Sequence, residues 1–151
     1  MKKILIIGGT GFFGYHLCKN FLKLRFKVFS LSKFKPTRIR KLTSVKYLFG
    51  DISKVKSISF LKKKNFDYVI NCGGYVDHKN KDKNKKNHLE GCKNLYSIFK
   101  KNKIKTFIQI GSSSEYGNVR SPQRETSRAI PRDIYGKAKL KASNFLISKK
   151  K

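Results

Sequence analysis

Long apolar runs are missing from this sequence. The longest, such as Ile4-Leu5-Ile6-Ile7, fall far short of the roughly 20 residues that a bilayer-spanning helix needs. With 38% hydrophobic residues and a mean hydropathy of −0.52, the chain does not read as a membrane protein. A secretory leader is not expected, on the same ground. Met1-Lys2-Lys3 begins like one, but Gly8-Gly9 ends the apolar run long before the about 7–15 residues of a signal core. Cysteine is scarce: Cys18, Cys72 and Cys92 are three, an odd count with no CxxC pair. That excludes a disulfide or zinc framework and fits a reducing, cytoplasmic compartment. His16, His78 and His88 share no metal-ligand spacing, so no metal is expected and the three read as surface or packing residues.

Acidic side chains are the scarcest class, eight against 37 basic ones, for a net charge of +29. Such a balance raises the question of nucleic acid. The residue types answer it: 30 of the 37 are Lys and seven are Arg, whose fork suits base and phosphate recognition. The lysines are scattered along the whole chain beside ten Asn, a compositional bias of the solvated surface rather than a nucleic-acid stripe. Disorder is excluded by 12 Phe and seven Tyr spread throughout. At 151 residues the chain is one domain, long enough to bury a core without staples.

What is present is an alternation of strands and helices. Lys3–Ile7 reads as a buried strand, and Gly11–Leu24 carries helical spacing through Phe13, Leu17 and Phe21. Lys27–Leu31, Lys46–Phe49, Asp67–Asn71 and Lys105–Ile110 read as further strands. Ser53 is the expected N-cap of a helix running towards Lys63. Lys79–Lys86, rich in Lys, Asn and Asp, is expected as a solvated loop leading into a helix over Asn87–Lys101, and a last helix is expected over Ile134–Ser148. Such alternation predicts an α/β fold with a parallel sheet covered on both faces.

Chemistry is concentrated at four places. Gly8-Gly9-Thr10-Gly11-Phe12-Phe13-Gly14 follows the first strand and opens the first helix. Glycines at 8, 11 and 14 allow a tight turn, close approach of a pyrophosphate and close helix–strand packing. The free N–H groups of a helix start then face the phosphates. Further on come Asp51-Ile52 after the third strand and Asn71-Cys72-Gly73-Gly74 at the end of the fourth. The next helix carries Asn87-x-x-x-Gly91-x-x-Asn94-Leu95, then follow Gly111-Ser112-Ser113-Ser114-Glu115-Tyr116-Gly117 and Tyr135-Gly136-Lys137-Ala138-Lys139.

This ordered series, covering almost the whole chain, resembles the extended short-chain dehydrogenase/reductase family of sugar-nucleotide epimerases, dehydratases and reductases. The resemblance implies a Rossmann-type doubly wound parallel sheet with strand order 3-2-1-4-5, spanning residues 1–151 as one NAD(P)-binding domain. It also implies a C-terminal substrate domain that this sequence does not contain. The cofactor residues it implies are Gly8, Gly11, Phe12, Phe13 and Gly14 at the phosphates, and Asp51 and Ile52 at the adenine. Cys72, Gly73 and Gly74 pass beneath the cofactor, and Asn87 takes the family's usual asparagine position.

Tyr135 and Lys139 lie one helical turn apart and so face the same way. A lysine ammonium there favours the phenolate form of the tyrosine. The resemblance implies Tyr135 as general acid/base, Lys139 as holder of the nicotinamide ribose as well, and Ser112 as hydrogen-bond partner of the reacting oxygen, with Ser113 taking that place if the loop carries a gap. Family dehydratases follow the serine with an Asp-Glu pair, whereas Ser113 and Ser114 follow here; an epimerase or ketoreductase is therefore expected, with Glu115 entering only if the loop is gapped.

The expected function is hydride exchange on a nucleotide-sugar, with no nucleic-acid or membrane partner. A second copy or a complementing C-terminal chain is the candidate macromolecular partner. The alternative is a non-catalytic NAD(P)-binding regulatory module. One further absence bears on the cofactor. NAD-specific domains carry an acid at the end of the second strand, and here Ser32 and Lys33 stand there with no acid before Asp51. NADP is therefore expected over NAD.

Overall fold

Strand β1 (Lys3–Ile7) is apolar at every position but its first, because it is covered on both faces. The computed structural model describes residues 1–75 and 80–149. Around β1 are β2 (Lys27–Ser32), β3 (Lys46–Phe49), β4 (Tyr68–Asn71) and β5 (Thr106–Gln109). They form one five-stranded parallel sheet in the order β3-β2-β1-β4-β5, the order expected. The register pairs Leu5 with Phe29 and with Val69, so apolar side chains line up in rows across the sheet.

The chain divides into two compact units. The first comprises Met1–Gly73 and Asn94–Ile110 and contains the whole sheet. On one face, Leu5, Ile7, Leu31 and Val69 pack with Ile58 and Leu61 of the 3-10 segment Val55–Lys63 and with Leu95, Ile98 and Phe99 of α3 (Gly91–Phe99). On the other, Ile4, Ile6, Val28 and Ile70 pack with Cys18 of α1 (Phe12–Lys23), flanked by Leu17, Phe21 and Leu22. Truncating a side chain of this kind to alanine costs about 2–5 kcal/mol. Helix α1 closes with the N–H of Arg25, at φ +57°, on the Leu22 carbonyl and that of Phe26 on the Phe21 carbonyl. The Phe21 and Phe26 rings meet edge to face at 5.1 Å, the hydrophobic clasp that accompanies this helix ending.

The second unit comprises Gly74–Lys93 and the chain from Gly111 onward. It contains α2 (Lys81–Asn84), a wide π-helical turn (Lys85–Glu90), the first residues of α3, a short 3-10 turn (Ser113–Glu115) and α4 (Ile134–Ile147). Asp133 caps α4, its carboxylate accepting the Gly136 N–H at 2.7 Å.

Two expectations are corrected. Ser53 does not cap a helix: its N–H and hydroxyl both donate to Asp51 Oδ1, Lys54 takes the cap position, and the segment is 3-10 rather than α. The stretch expected as a loop is helical from Lys81, since Asn84 and His88 are buried and draw the polar sequence around them into a helix. Of the surface or packing roles expected for His88, the structure gives packing: it sits 2% exposed. Lys79 and His78 lie outside the described residues. No helix among those described is long and apolar enough to cross a membrane.

Candidate functional site

In the doubly wound order, the sheet's winding reverses between β1 and β4, and ligands bind at the carboxyl ends of strands at such a point. The glycine turn leaves β1 there. Gly8 has φ +79°, its N–H donates to the Leu31 carbonyl at 2.7 Å, and its carbonyl accepts the Gly11 N–H at 3.0 Å. A Cβ on Gly8 would stand 3.0 Å from the Gly73 backbone, and one on Gly14 would stand 2.7 Å from Gly9 Cα. Those two glycines are required by the chain itself. Gly11 differs: it is exposed, and an added Cβ would meet nothing nearer than the Gly8 carbonyl at 3.3 Å. Gly11 is the least crowded of the three and faces solvent.

Gly11 is the N-cap of α1, offers no side-chain cap, and no acid occupies the first turn. The first amides of α1 are therefore free to meet an anion. Phe12 and Phe13 flank them, 68% and 50% exposed, with the Arg40 guanidinium 5.9 Å from the Phe12 ring. The residues present fit a dinucleotide pyrophosphate.

At the end of β2, the Ser32 hydroxyl accepts the Thr10 N–H at 3.3 Å. Lys33 Nζ lies 3.2 Å from Asp51 Oδ2. Burial pulls the Asp51 carboxyl up, but hydrogen bonds from Ser53 and the Lys33 ammonium outweigh it and hold it below the usual carboxylate value. Ile52 is buried, and its carbonyl accepts from Asn94 Nδ2 at 2.8 Å. Asn71, fully buried, accepts the Gly73 N–H at 3.0 Å and donates to Gln109 at 2.8 Å, setting the path of Cys72-Gly73. Cys72 is half-buried against the Cys18 side of the core, whose thiol burial pushes up to about 12.

In the second unit, Ser112 precedes the Ser113–Glu115 turn. Its hydroxyl accepts the Ser114 N–H at 3.2 Å and its N–H donates to Glu115 Oε1 at 2.8 Å. Glu115 is buried and committed to this loop. Gly136 has no room for a side chain, since a Cβ there would stand 2.9 Å from the Ser114 carbonyl carbon. That contact seats the serine turn against the start of α4, where Tyr135 and Lys139 lie.

Lys139 is 6% exposed and acts on two neighbours. Burial pushes the Cys92 thiol up to about 11, with the Lys139 ammonium opposing. Burial also holds His88 below its ordinary value, and there the Lys139 ammonium adds to the effect while the Tyr75 backbone opposes it. Asn87 Nδ2 donates to the Lys83 carbonyl one turn back, at 2.8 Å.

The comparisons with known proteins agree with this geometry. Residues 4–149 match the family described as NAD dependent epimerase/dehydratase. The chain belongs to that family. It is 27% identical over 157 residues to the bifunctional UDP-glucose 4-epimerase and UDP-xylose 4-epimerase 1 of Pisum sativum, a match covering 92% of this chain and 45% of that protein. The UDP-Glc/GlcNAc 4-epimerase of Campylobacter jejuni superposes with a TM-score of 0.90 at 24% identity, over 98% of this chain and 49% of the other. The UDP-glucuronic acid 4-epimerase of Bacillus cereus, solved with NAD, superposes with a TM-score of 0.83 at 25% identity, over 97% and 52%. The chain thus spans about half the length of these relatives.

Sequence reasoning leaves two contacts unread. Glu115 holds the Ser112 loop through a Ser-x-x-Glu capping box, a local signal present in the sequence. His88 carried no usable signal, since its position next to Asn87 says nothing of the ring it meets. A cleft of about 560 Å³ lined by Lys3, Lys62, Lys101 and Lys103 opens at the opposite end of the strands. Lys62 there stands in the last turn of the 3-10 segment, where a cation complements the helix end.

Proposed function

We propose that this chain binds NAD(P) on the glycine turn and supplies the acid–base set of a nucleotide-sugar 4-epimerase or ketoreductase. The observation that carries the reading is the contact of Ser114 with Gly136, which gathers Ser112, Tyr135 and Lys139 into one compact unit. Bound nicotinamide supplies reversible hydride uptake at a sugar carbon. Tyr135 takes the proton from the hydroxyl on that carbon and returns it, Ser112 hydrogen-bonds the same oxygen, and Lys139 is the buried cation beside them. Elimination is disfavoured as the chemistry, because Ser113 and Ser114 follow Ser112 and the Glu115 carboxylate already holds the Ser112 N–H.

NADP(H) is the preferred cofactor in this proposal. Ser32 and Lys33 stand where a carboxylate would repel a 2′-phosphate, and the Lys33 side chain, 61% exposed, is free to exchange Asp51 for a more highly charged phosphate. Replacing Tyr135 by Phe removes only a hydroxyl. Turnover should fall by about 100-fold or more while cofactor affinity stays within twofold; a Tyr135→Phe protein with wild-type turnover disproves the assignment.

A further inference from the structure

His88 is an unusual neighbour for this site. Its ring meets that of Tyr135 edge to face, with centroids 5.1 Å apart and planes at 85°. Nε2 lies 3.0 Å from the Tyr75 carbonyl oxygen, and the Tyr75 N–H also points at Nε2, from a longer 3.4 Å. The shorter contact assigns Nε2–H as a donor to the carbonyl, leaving Nδ1 as the acceptor nitrogen. Nδ1 is buried and has no hydrogen-bond partner among the described residues. Phe or Leu would fill the same volume without leaving a buried acceptor open, so packing alone does not explain an imidazole here.

The backbone is fitted around this ring on both sides. A Cβ on Gly74 would run into Cε1 of His88, so the segment leading to Tyr75 passes at glycine distance. The helix carrying His88 widens into a π turn over Lys85–Glu90. Such turns are rare and occur frequently at functional sites. Among the described residues, the Tyr135 ring and the Lys139 ammonium face His88, and the ammonium opposes a second cation there.

We propose that His88 is a positioning residue for Tyr135: held through Nε2 on the Tyr75 carbonyl, its ring fixes the plane of the phenol and so the direction in which the hydroxyl is presented. The proposal rests on Tyr135 being the acid/base group. A misdirected reacting group costs up to about 100-fold in rate, which gives the scale of the expected effect.

Three measurements test it. In the wild-type chain, long-range ¹⁵N spectra of labelled histidine should show His88 as the Nε2–H tautomer at neutral pH; the Nδ1–H tautomer or a doubly protonated ring overturns the proposal. In chains labelled with 3-fluorotyrosine, the ¹⁹F signal assigned through Tyr135→Phe should shift or broaden in both His88→Phe, which keeps a ring without the anchor, and His88→Gln, which keeps a donor without the ring. A Tyr135 signal unchanged in either folded variant refutes the brace.

In the enzyme assay, His88→Phe should lower kcat by about 10- to 100-fold with KM within twofold. Unchanged kcat in a variant that melts like the wild type would again refute it. If instead Tyr135→Phe retains full turnover, the acid/base reading fails, and that failure is separate because the two spectroscopic measurements do not depend on it.

Discussion

Glu115 Oε1 accepts the backbone N–H of Ser112 at 2.8 Å, while the Ser112 hydroxyl accepts the N–H of Ser114 at 3.2 Å. The candidate catalytic serine is therefore held by a residue three positions later, through its backbone rather than its hydroxyl. Glu115→Ala should cost about 1–2 kcal/mol in urea unfolding, the usual penalty for a lost cap and an orphaned amide. Glu115→Gln keeps an acceptor oxygen and should cost less than half as much. Equal losses in the two variants would show that the acceptor is not what matters.

The glycine turn should separate fold from binding. Gly14→Ala forces a Cβ to 2.7 Å from Gly9 Cα and should destabilise by about 1–3 kcal/mol, the range for overpacking. Gly11→Val meets only the Gly8 carbonyl, 3.3 Å from its Cβ, and should destabilise less than Gly14→Ala, yet lose at least about tenfold in calorimetric affinity for NAD(P) because the side chain stands where the pyrophosphate approaches. Wild-type affinity in Gly11→Val contradicts the site.

Cofactor choice should depend on the end of β2. NADP(H) is expected to bind more tightly than NAD(H), with the gap narrowing as salt rises because Lys33 is exposed. Ser32→Asp with Lys33→Asn should narrow or reverse it. Titrations at low salt in which the wild type binds NAD(H) at least as well as NADP(H) count against the preference.

Acid should weaken the second unit through His88. Its folded pKa lies below the unfolded value of about 6.5, so under acid the unfolded chain binds a proton that the folded chain does not. Stability is therefore intact above about pH 6.5 and declines as the pH falls below it. Asp51, lowered by Ser53 and Lys33, loses its contribution only nearer pH 4. Urea midpoints compared at about pH 7.5 and 5.5 should differ less in His88→Phe than in the wild type. An equal difference in both proteins would remove His88 as the cause.

Strands β1 and β3 were legible to the residue, because short apolar or alternating runs bounded by Gly or Asp permit little else. The helix over Lys81–Glu90 was not. Its composition is that of a solvated loop, and the burial of Asn84 and His88 together with the Asn80 cap on the Lys83 N–H sets it as a helix. Ser53 followed the pattern of an N-cap, but a nearby carboxylate, Asp51, took both of its donors.

The sequence by itself determined the α/β class, the family and the order in which the glycine turn, the serine loop and the Tyr-Lys pair appear, since these depend on local spacing and on residue types with few alternatives. Tertiary structure alone decided that Lys33 pairs with Asp51 and that His88 meets Tyr135. Each of these is a contact made by folding the chain back on itself. The energy of such a contact depends on burial and direction, neither of which is written in the spacing of residues along the chain.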